Sequence, residues 1–248
     1  MTVTILDVRV DNISKFDALR QAENFILSGK QHLIFTPNPE MLVKANSDPY
    51  FMEILNHGSL NLCDGTGMAI AARLNGNKIA RITGVDFMIE LCGLAEQKKY
   101  SIYLLGSLSD AVLKMTNENI LKKFPELNIV GYDKGPVVIE KSQALISNNQ
   151  AVIDKINQAK PDLLFVAFGM GKQEKWLAEN LSKMPSVKIG MGVGGAFDYL
   201  SGFVPRAPRL MRKIGLEWLY RLWKQPRRFG RIFNATLKFS YLILKEKV

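Results

Sequence analysis

The stretch Leu163-Leu-Phe-Val-Ala-Phe-Gly-Met-Gly-Lys-Gln-Glu174 contains an apolar run, a turn with two glycines and the polar start of a helix. The apolar run at 163–168 has no polar residue on either face, which is typical of a strand covered on both sides. Pro161 precedes it and marks a helix exit, because proline cannot continue a helix and disfavours helix in the residue before it. The stretch therefore predicts one strand of a parallel sheet, followed by a turn and a helix.

The same succession of strand, turn and helix recurs through most of the chain. Strands are predicted at 3–6, 32–36, 60–63, 101–105, 128–132, 163–168 and 187–191, and helices at 15–27, 39–55, 67–74, 86–97, 110–124, 150–159 and 172–183. This alternation is typical of an α/β protein with a parallel sheet and helices on both faces. Ligands bind at the carboxyl edge of such sheets, where the turns at 36–39, 64–67, 106–109, 131–133, 168–174 and 192–198 should lie.

The positive charge of the chain is concentrated towards its C-terminus. The formal net charge is +10, and residues 205–248 contain twelve Lys and Arg against two Glu, which equals the whole excess. The proline-containing segment at 202–208 separates this part from the balanced remainder. We therefore predict a globular core at 1–204 and a basic helical C-terminal appendage at 205–248, with helices at 208–224 and 227–245.

Aromatic and aliphatic residues recur at helical intervals among the basic residues of the appendage. They are Leu210, Ile214, Trp218, Trp223, Phe229, Phe233, Leu237, Phe239 and Tyr241. A basic amphipathic helix with tryptophan is typical of a segment in a lipid headgroup layer, where each basic residue gains about 1 kcal/mol from anionic lipid. Nucleic acid would attract the same charge, but the core contains no recognisable nucleic-acid module. We expect an anionic membrane surface, and no nucleic acid, as the partner.

Three features bear on the cellular compartment. The N-terminal residues enter a strand pattern without the basic start and apolar block of a signal peptide. The apolar runs are shorter than the roughly 20 residues that cross a bilayer. Cys63 and Cys92 lie in apolar stretches and are expected to be buried thiols. We expect a cytoplasmic protein, peripheral on the inner face of the cell membrane.

The turn Asp64-Gly-Thr-Gly67 places a carboxylate where a strand ends and a helix begins. The glycines would let backbone amides approach a ligand, and the helix N-terminus favours anions. An aspartate at this edge would be well placed as a general base, which must be within hydrogen-bonding distance of the hydroxyl that it deprotonates. The alternative is that Asp64 only caps the following helix.

The segment Gly190-Met-Gly-Val-Gly-Gly195 formally matches the G-x-G-x-x-G pattern of dinucleotide-binding proteins. The match is weak, because that pattern should open a βαβ unit, whereas this copy follows the last predicted strand. Its glycines would either line a nucleotide site, with Asp198 accepting from ribose hydroxyls, or let a helix pack closely on the strand.

Three further polar residues are candidates for ligand contacts at the same edge. Arg81 would bring a cation to a diphosphate, unless it is an ordinary surface arginine. Gln173 and Glu174 would bind a nucleotide or a sugar, although a glutamate in a first helical turn also suits the helix dipole. His32 and His57 are isolated and there is no Asp-x-Asp pair, so we expect no metal and no cofactor, with arginines and backbone amides neutralising the charge.

At these residues the sequence resembles the WecG/TagA/CpsF glycosyltransferase family over nearly its whole length. The resemblance rests on an ordered set of blocks, which is more specific than any single motif. The blocks are Thr36-Pro-Asn38 with Glu40, Asp64 to Gly67, Arg81 to Asp86, Leu105-Gly106, Phe168 to Glu174, Gly192 to Asp198, and Ser201-Gly202 through Arg206 to Pro208.

The resemblance implies a Rossmann-like core and an inverting, metal-independent transfer of N-acetylmannosamine or a related hexose. The implied donor is a UDP-sugar, and the implied acceptor is an undecaprenyl-diphosphate-linked sugar of teichoic acid or another cell-surface polysaccharide. It also implies a role for each matching residue: general base for Asp64; the adjoining pocket for Thr36 and Asn38; sugar and diphosphate contacts for Arg81 and Gln173; nucleotide contacts for Gly106, Tyr132, Gly194 and Asp198; and contacts with the acceptor diphosphate for Arg206, Arg212, Arg221 and Arg228.

A different class of function stays open from the residues alone. The glycine run and the net charge would also fit a non-enzymatic Rossmann-like protein that binds a dinucleotide or nucleic acid. The donor sugar, the polymer pathway and the choice between a monomer and a homo-oligomer are not determined by the sequence.

Overall fold

The computed structural model describes residues 1–107, 109–141, 144–146, 148–224 and 229–245, without the side chains of residues 141, 144–146, 213, 221, 231 and 234. The strands are β1 (Thr2–Ile5), β2 (Val8–Asp11), β3 (His32–Phe35), β4 (Leu60–Asn61), β5 (Ser101–Leu105), β6 (Asn128–Asp133), β7 (Ile139–Lys141), β8 (Ala144–Ile146), β9 (Leu163–Val166) and β10 (Ile189–Gly192). The helices are α1 (Lys15–Leu27), α2 (Pro39–Ala45), α3 (Pro49–Asn56), α4 (Thr66–Leu74), α5 (Gly84–Lys98), α6 (Asp110–Lys123), α7 (Gln150–Ala159), α8 (Lys172–Asn180), α9 (Ala196–Leu200), α10 (Arg209–Lys213), α11 (Glu217–Lys224) and α12 (Phe229–Lys245).

Six of the strands form a parallel sheet with the order β4-β3-β10-β9-β5-β6. The strand β9 shows why its sequence is continuously apolar. Leu163 and Phe165 pack into a core with helices α1, α5 and α6, whereas Leu164 and Val166 pack on the opposite face against α7 and α8. The predicted α/β class, with a parallel Rossmann-like sheet and helices on both faces, is confirmed.

The predicted first strand, at 3–6, lies outside this sheet. Residues 2–5 instead pair antiparallel with β2, and the two-residue turn of Leu6 and Asp7 has both residues at positive φ, 47° and 61°. This hairpin covers the edge of the sheet, because Asp11 bridges Leu62 and its carboxylate accepts from the Asn61 amide over 2.7 Å. The alternation of buried and exposed residues at 2–5 is the pattern of a half-covered strand.

Two predicted helices are each divided in the structure. The helix predicted at 39–55 breaks before α3, where the Asp48 side chain accepts from the Phe51 amide and Pro49 occupies the first helical position. The helix predicted at 208–224 breaks at Gly215, which has a φ of +81°. The antiparallel hairpin of β7 and β8 was not predicted, because its strands have three residues each.

The long helix α12 packs against α2. Phe239 and Ile243 on this helix are buried in the core cluster that also contains Met68 of α4. The division into a core at 1–204 and an appendage at 205–248 stays a prediction. Within the described ranges, every helix falls short of the length and apolarity that a membrane crossing requires.

Candidate active site

Asp64 lies just beyond β4, at the carboxyl edge of the sheet. Its amide donates to the Pro37 carbonyl over 2.9 Å, which ties it to the end of the adjacent strand. Its Oδ2 accepts from the Gly84 amide, the first residue of α5, over 3.2 Å. The N-cap of α4 is Gly65, and no side chain caps that helix. Asp64 therefore does not cap the helix that follows it, which was the alternative to a catalytic role.

The surroundings of Asp64 make its carboxylate more basic than usual. Burial is the largest cause, and the nearby carboxylates of Glu217 and Asp86 act in the same direction. The Gly84 amide and the Arg81 guanidinium oppose the shift, and the net result is a pKa of about 6. A carboxylate with such a pKa is still ionised at neutral pH and accepts a proton more readily than an exposed aspartate.

Thr36 and Asn38, which were predicted to form the pocket around the catalytic base, lie beside Asp64 and differ in their surroundings. A Cβ placed on Gly84 would be 3.0 Å from the Thr36 Oγ1, so the Thr36 hydroxyl directly adjoins the turn that binds Asp64. Asn38 is the N-cap of α2, and its Oδ1 accepts from the Met41 amide over 3.0 Å. The side-chain carbonyl of Asn38 therefore has a structural role already.

Arg81 is a bridge between the core and the C-terminal helices. Its Nη1 donates to the Thr66 Oγ1 over 3.3 Å, and its other terminal nitrogen donates to the Arg212 carbonyl. The Thr66 hydroxyl in turn donates to the Gly215 carbonyl over 2.9 Å. These contacts seat the turn between α10 and α11 on the start of α4, so the alternative of an ordinary surface arginine is wrong.

Two of the predicted appendage arginines contact acidic or carbonyl groups near this turn. The Arg206 Nη1 is 2.8 Å from the Asp86 Oδ1, and its Nε is 3.2 Å from the Glu217 Oε1. The Arg212 Nε donates to the Ala207 carbonyl over 3.1 Å. Burial disfavours the Asp86 carboxylate, but hydrogen bonds from Arg206 and Thr83 outweigh it and lower the pKa of Asp86. Arg228 and the side chain of Arg221 lie outside the described residues.

Gln173 and Glu174 are buried and pack against β10. The Gln173 amide nitrogen donates to Glu174 over 2.8 Å, and its oxygen accepts from the Gly194 amide over 3.0 Å. A Cβ on Gly192 would lie 2.8 Å from the same amide nitrogen. A Cβ on Gly190 would likewise meet Leu177 of α8 at 2.8 Å. The glycines at 190 and 192 thus permit close helix packing, which was the alternative to a nucleotide fingerprint.

The remaining predicted nucleotide residues lie farther along the sheet edge. Gly106 follows β5, and its amide donates to the Asp133 carbonyl over 2.8 Å. Tyr132, on the neighbouring strand β6, has 45% of its surface exposed. Asp198 is partly buried in the first turn of α9. Four strand spacings separate β4 from β5 in the sheet, or about 19 Å, so Gly106 and Asp64 mark two ends of an elongated edge.

Glu217 was not among the residues predicted for the site, and Asp86 was included only as part of a motif. Glu217 is the first residue of α11 and approaches Asp64 from the C-terminal helices. One signal was available, because Glu217 is the only acidic residue between 205 and 245. Thr83-Gly-Val-Asp86 also has the spacing of a helix-capping box. Within the described ranges, no group of three or more His, Cys, Asp and Glu side chains could hold a metal ion.

Comparison with known proteins agrees with the family resemblance. Residues 3–248 match the family described as "Glycosyl transferase WecG/TagA/CpsF family". An N-acetylglucosaminyldiphosphoundecaprenol N-acetyl-beta-D-mannosaminyltransferase of Bacillus subtilis (strain 168) is 35% identical over 216 residues, which cover 87% of this chain and 80% of that protein. Proteins with the same name are 29% identical in Staphylococcus aureus (strain MW2), over 99% of this chain and 93% of that protein, and 31% identical in Bacillus spizizenii (strain ATCC 23059 / NRRL B-14472 / W23), over 90% and 82%.

Proposed function

This chain belongs to the WecG/TagA/CpsF family of glycosyltransferases, and we propose that it moves N-acetylmannosamine from UDP to an undecaprenyl-diphosphate-linked N-acetylglucosamine. The observation that carries the reaction is the Asp64 carboxylate, held at the sheet edge with a pKa of about 6 and close to the cation of Arg81. The relatives' names supply the acceptor and the sugar. The product would be an intermediate of a cell-wall polymer such as teichoic acid.

In the proposed reaction Asp64 acts as the general base. It takes the proton of the acceptor hydroxyl as the hydroxyl oxygen attacks the anomeric carbon of the donor sugar. The bond between that carbon and the UDP oxygen breaks as the new bond forms on the opposite face, so the configuration inverts. UDP leaves with the bonding electron pair. Arg81 and the backbone amides at the edge stabilise its developing charge, so no metal takes part in this scheme.

The elongated edge of the sheet suits a donor with a sugar at one end and a nucleotide at the other. With the sugar near Asp64 and the diphosphate near Arg81, the nucleotide would extend past Gly194 towards β5 and β6. Gly106, Tyr132 and Asp198 are the proposed nucleotide contacts. Gln173 would act on the donor through its buried side-chain amide, which holds the Gly194 turn.

Substitution of Asp64 by asparagine tests the proposal most directly. Asparagine keeps the shape and still accepts from the Gly84 amide but is not a base, so transfer should fall by about 10²- to 10⁴-fold while UDP binding is retained. The matched control is Asp162→Asn. The Asp162 carboxylate also accepts from a backbone amide, that of Ser101 over 2.8 Å, but it lies where β9 begins, at the amino edge of the sheet. UDP release with UDP-N-acetylmannosamine and a short-chain polyprenyl-diphosphate acceptor measures the rate. Parental turnover by the Asp64 variant would remove this residue from the mechanism.

The same substitution should not destabilise the fold at high pH. Burial raises the pKa of Asp64 to about 6 from an ordinary value of 3.8, so the folded state binds its proton more tightly than the unfolded state does. Stability from this group therefore falls as pH rises from about 4 to 6. The variant with asparagine at position 64 does not lose stability in this way as pH rises. A lower activity of this variant at pH 8 would therefore not reflect unfolding.

We also propose that the C-terminal helices hold the enzyme at an anionic membrane surface, on the cytoplasmic side where the lipid-linked acceptor would be. Their exposed apolar side chains are Leu210, Ile214, Trp218, Leu219, Trp223, Phe229, Phe233, Leu237, Tyr241 and Leu244. Basic residues alternate with them along the chain. Tryptophan and arginine together suit the headgroup layer.

Point substitutions test the membrane proposal better than truncation. Deleting 205–248 would remove the buried side chains of Phe239 and Ile243 and uncover the core beneath them. The double variant Trp218→Ser and Trp223→Ser should instead lower the affinity for phosphatidylglycerol vesicles by at least about tenfold, since each indole loses its apolar burial. Phe16→Ser is the control, because Phe16 on α1 is 75% exposed, against 71% for Trp223. Equal binding by both variants would contradict the proposal.

A further inference from the structure

Arg206 lies between two carboxylates that come from different parts of the chain. Its Nη1 is 2.8 Å from Asp86 in the first turn of α5, and its Nε is 3.2 Å from Glu217 at the start of α11. Only 19% of the side chain of Arg206, and 19% of that of Glu217, is exposed. One guanidinium therefore joins the core to the C-terminal helices in a largely covered position.

The two carboxylates contact two different nitrogen atoms of the guanidinium. Arginine has a long side chain with many rotamers, and a single partner would leave its head group free to rotate. Contacts at two different nitrogen atoms fix both the position and the orientation of the guanidinium group. Asp86 is itself held, because the Thr83 hydroxyl donates to its Oδ2 over 2.7 Å. Glu217 lies at a helix N-terminus, where a negative charge is stabilised.

The held guanidinium lies near the turn that binds the proposed general base. Thr83, which the Arg206 Nη2 approaches to 3.5 Å, directly precedes Gly84, whose amide binds Asp64. The contacts with Asp86, Glu217 and Thr83 use three of the five N–H donors of arginine, which leaves two for a ligand. A diphosphate takes such paired donors well, because its oxygens match the spacing of the fork.

We propose that Asp86 and Glu217 are positioning residues that hold the Arg206 guanidinium at the Thr83–Gly84 turn that binds Asp64, where its remaining N–H donors bind a substrate diphosphate. This inference rests on the proposed function, since it needs a diphosphate substrate at this edge. The diphosphate belongs to the UDP-sugar or to the lipid acceptor, and separate titrations of the two substrates distinguish them. The C-terminal helices thereby contribute Glu217 to the arrangement that the core alone leaves incomplete.

The test compares Glu217→Gln and Asp86→Asn with Glu23→Gln in the full-length protein. Glu23 is the matched control, because it pairs with Lys98 over 2.7 Å and has 24% of its side chain exposed, away from the sheet edge. We expect the two site variants to raise the KM for one substrate by about tenfold, which is the usual cost of weakening a charge-assisted hydrogen bond. The control should retain the parental KM for both substrates.

Two further readouts separate positioning from general stabilisation. If Glu217 acts through Arg206, adding Glu217→Gln to Arg206→Gln should not raise that KM further, so the two effects are not additive. Glu217 and Asp86 raise the pKa of Asp64, whereas Arg81 lowers it. Removing either negative charge should therefore move the acid limb of the kcat/KM profile to lower pH, which a loss of fold would not do.

The outcomes distinguish this inference from the proposed function. Parental KM values in both folded site variants, or an additive double variant, would overturn the positioning role while leaving the transferase intact. If Glu217→Gln lowers the unfolding midpoint, Glu217→Asp replaces it, which keeps the charge and should give an intermediate KM. If the parental protein transfers no sugar, the proposed function fails, and calorimetry with inorganic pyrophosphate decides the inference: about tenfold weaker binding by the site variants supports it, and unchanged binding refutes it.

Discussion

Replacing Lys175 by methionine would remove the central cation of a buried charge cluster. The Lys175 side chain is fully buried, and its Nζ lies 2.6 Å from Asp48 and 2.7 Å from Glu140. Glu140 is also paired with Lys44 over 2.6 Å. The cluster joins α8, the start of α3, α2 and the β7–β8 hairpin. Methionine matches the lysine in length and volume, so the substitution tests the charge and leaves the packing nearly unchanged.

The structure sets the size of the effect. Removing one partner of a buried ion pair costs about 3–5 kcal/mol, because the remaining charge is left uncompensated. Glu140 keeps Lys44, and Asp48 keeps its hydrogen bond with the Phe51 amide. We therefore expect the lower end, about 3 kcal/mol of the free energy of unfolding. The control Lys155→Met breaks an ion pair with Asp133 in which the lysine side chain is 61% exposed, and should cost at most about 1 kcal/mol.

Urea unfolding followed by circular dichroism at several pH values measures this difference. Burial opposes the Glu140 carboxylate, but hydrogen bonds from Lys175 and Lys44 outweigh it and lower its pKa. Its contribution to stability is therefore present above the ordinary pKa of 4.5 and is lost as pH falls through the lower folded value. The difference in the free energy of unfolding between the parental protein and Lys175→Met should therefore become smaller as the pH falls below 4.5.

A second variant guards against a packing explanation. Adding Asp48→Asn to Lys175→Met removes the carboxylate that is left without a cation, and asparagine still caps α3. This double variant should recover part of the lost stability, because Glu140 keeps its ion pair with Lys44 and no uncompensated carboxylate stays buried. The reasoning would be refuted if Lys175→Met lowered the free energy of unfolding no more than Lys155→Met does. It would also be refuted if the difference in this free energy between Lys175→Met and the parental protein did not change with pH.

Two other predictions concern activity. Because burial and nearby carboxylates raise the pKa of Asp64 to about 6, kcat/KM should decline below that pH as the base becomes protonated; a constant rate down to pH 5 would contradict the assignment. Gly215→Ala should release the turn between α10 and α11 and lower kcat/KM, since its φ is +81° and the added Cβ would lie 2.0 Å from the Thr66 Oγ1, which Arg81 also contacts. Gly230→Ala, with nothing within 4 Å, should retain parental activity.

Much of the site could be placed on the sheet edge from the sequence. Asp64 was a candidate because it lies in a turn beside a predicted strand, and parallel strands bring their carboxyl ends to one edge. Arg81 was a candidate because its cation precedes Thr83-Gly-Val-Asp86 and could contact a diphosphate at that edge. Glu217 could not be placed, because it approaches Asp64 from a distant part of the chain, and this approach depends on how α11 folds back. No local pattern carries that information, which only the tertiary structure supplies.

The sequence by itself determined the α/β class, because a strand covered on two faces must be apolar throughout, as at 163–166. It also determined that the positive charge lies at 205–248. The tertiary structure decided that residues 2–5 join a separate hairpin, and that Arg206 is held by Asp86 and Glu217. The physical reason is the distance along the chain over which each interaction acts. The burial pattern of a strand or helix appears in neighbouring residues, whereas strand pairing and ion pairs depend on interactions between segments that meet only after folding.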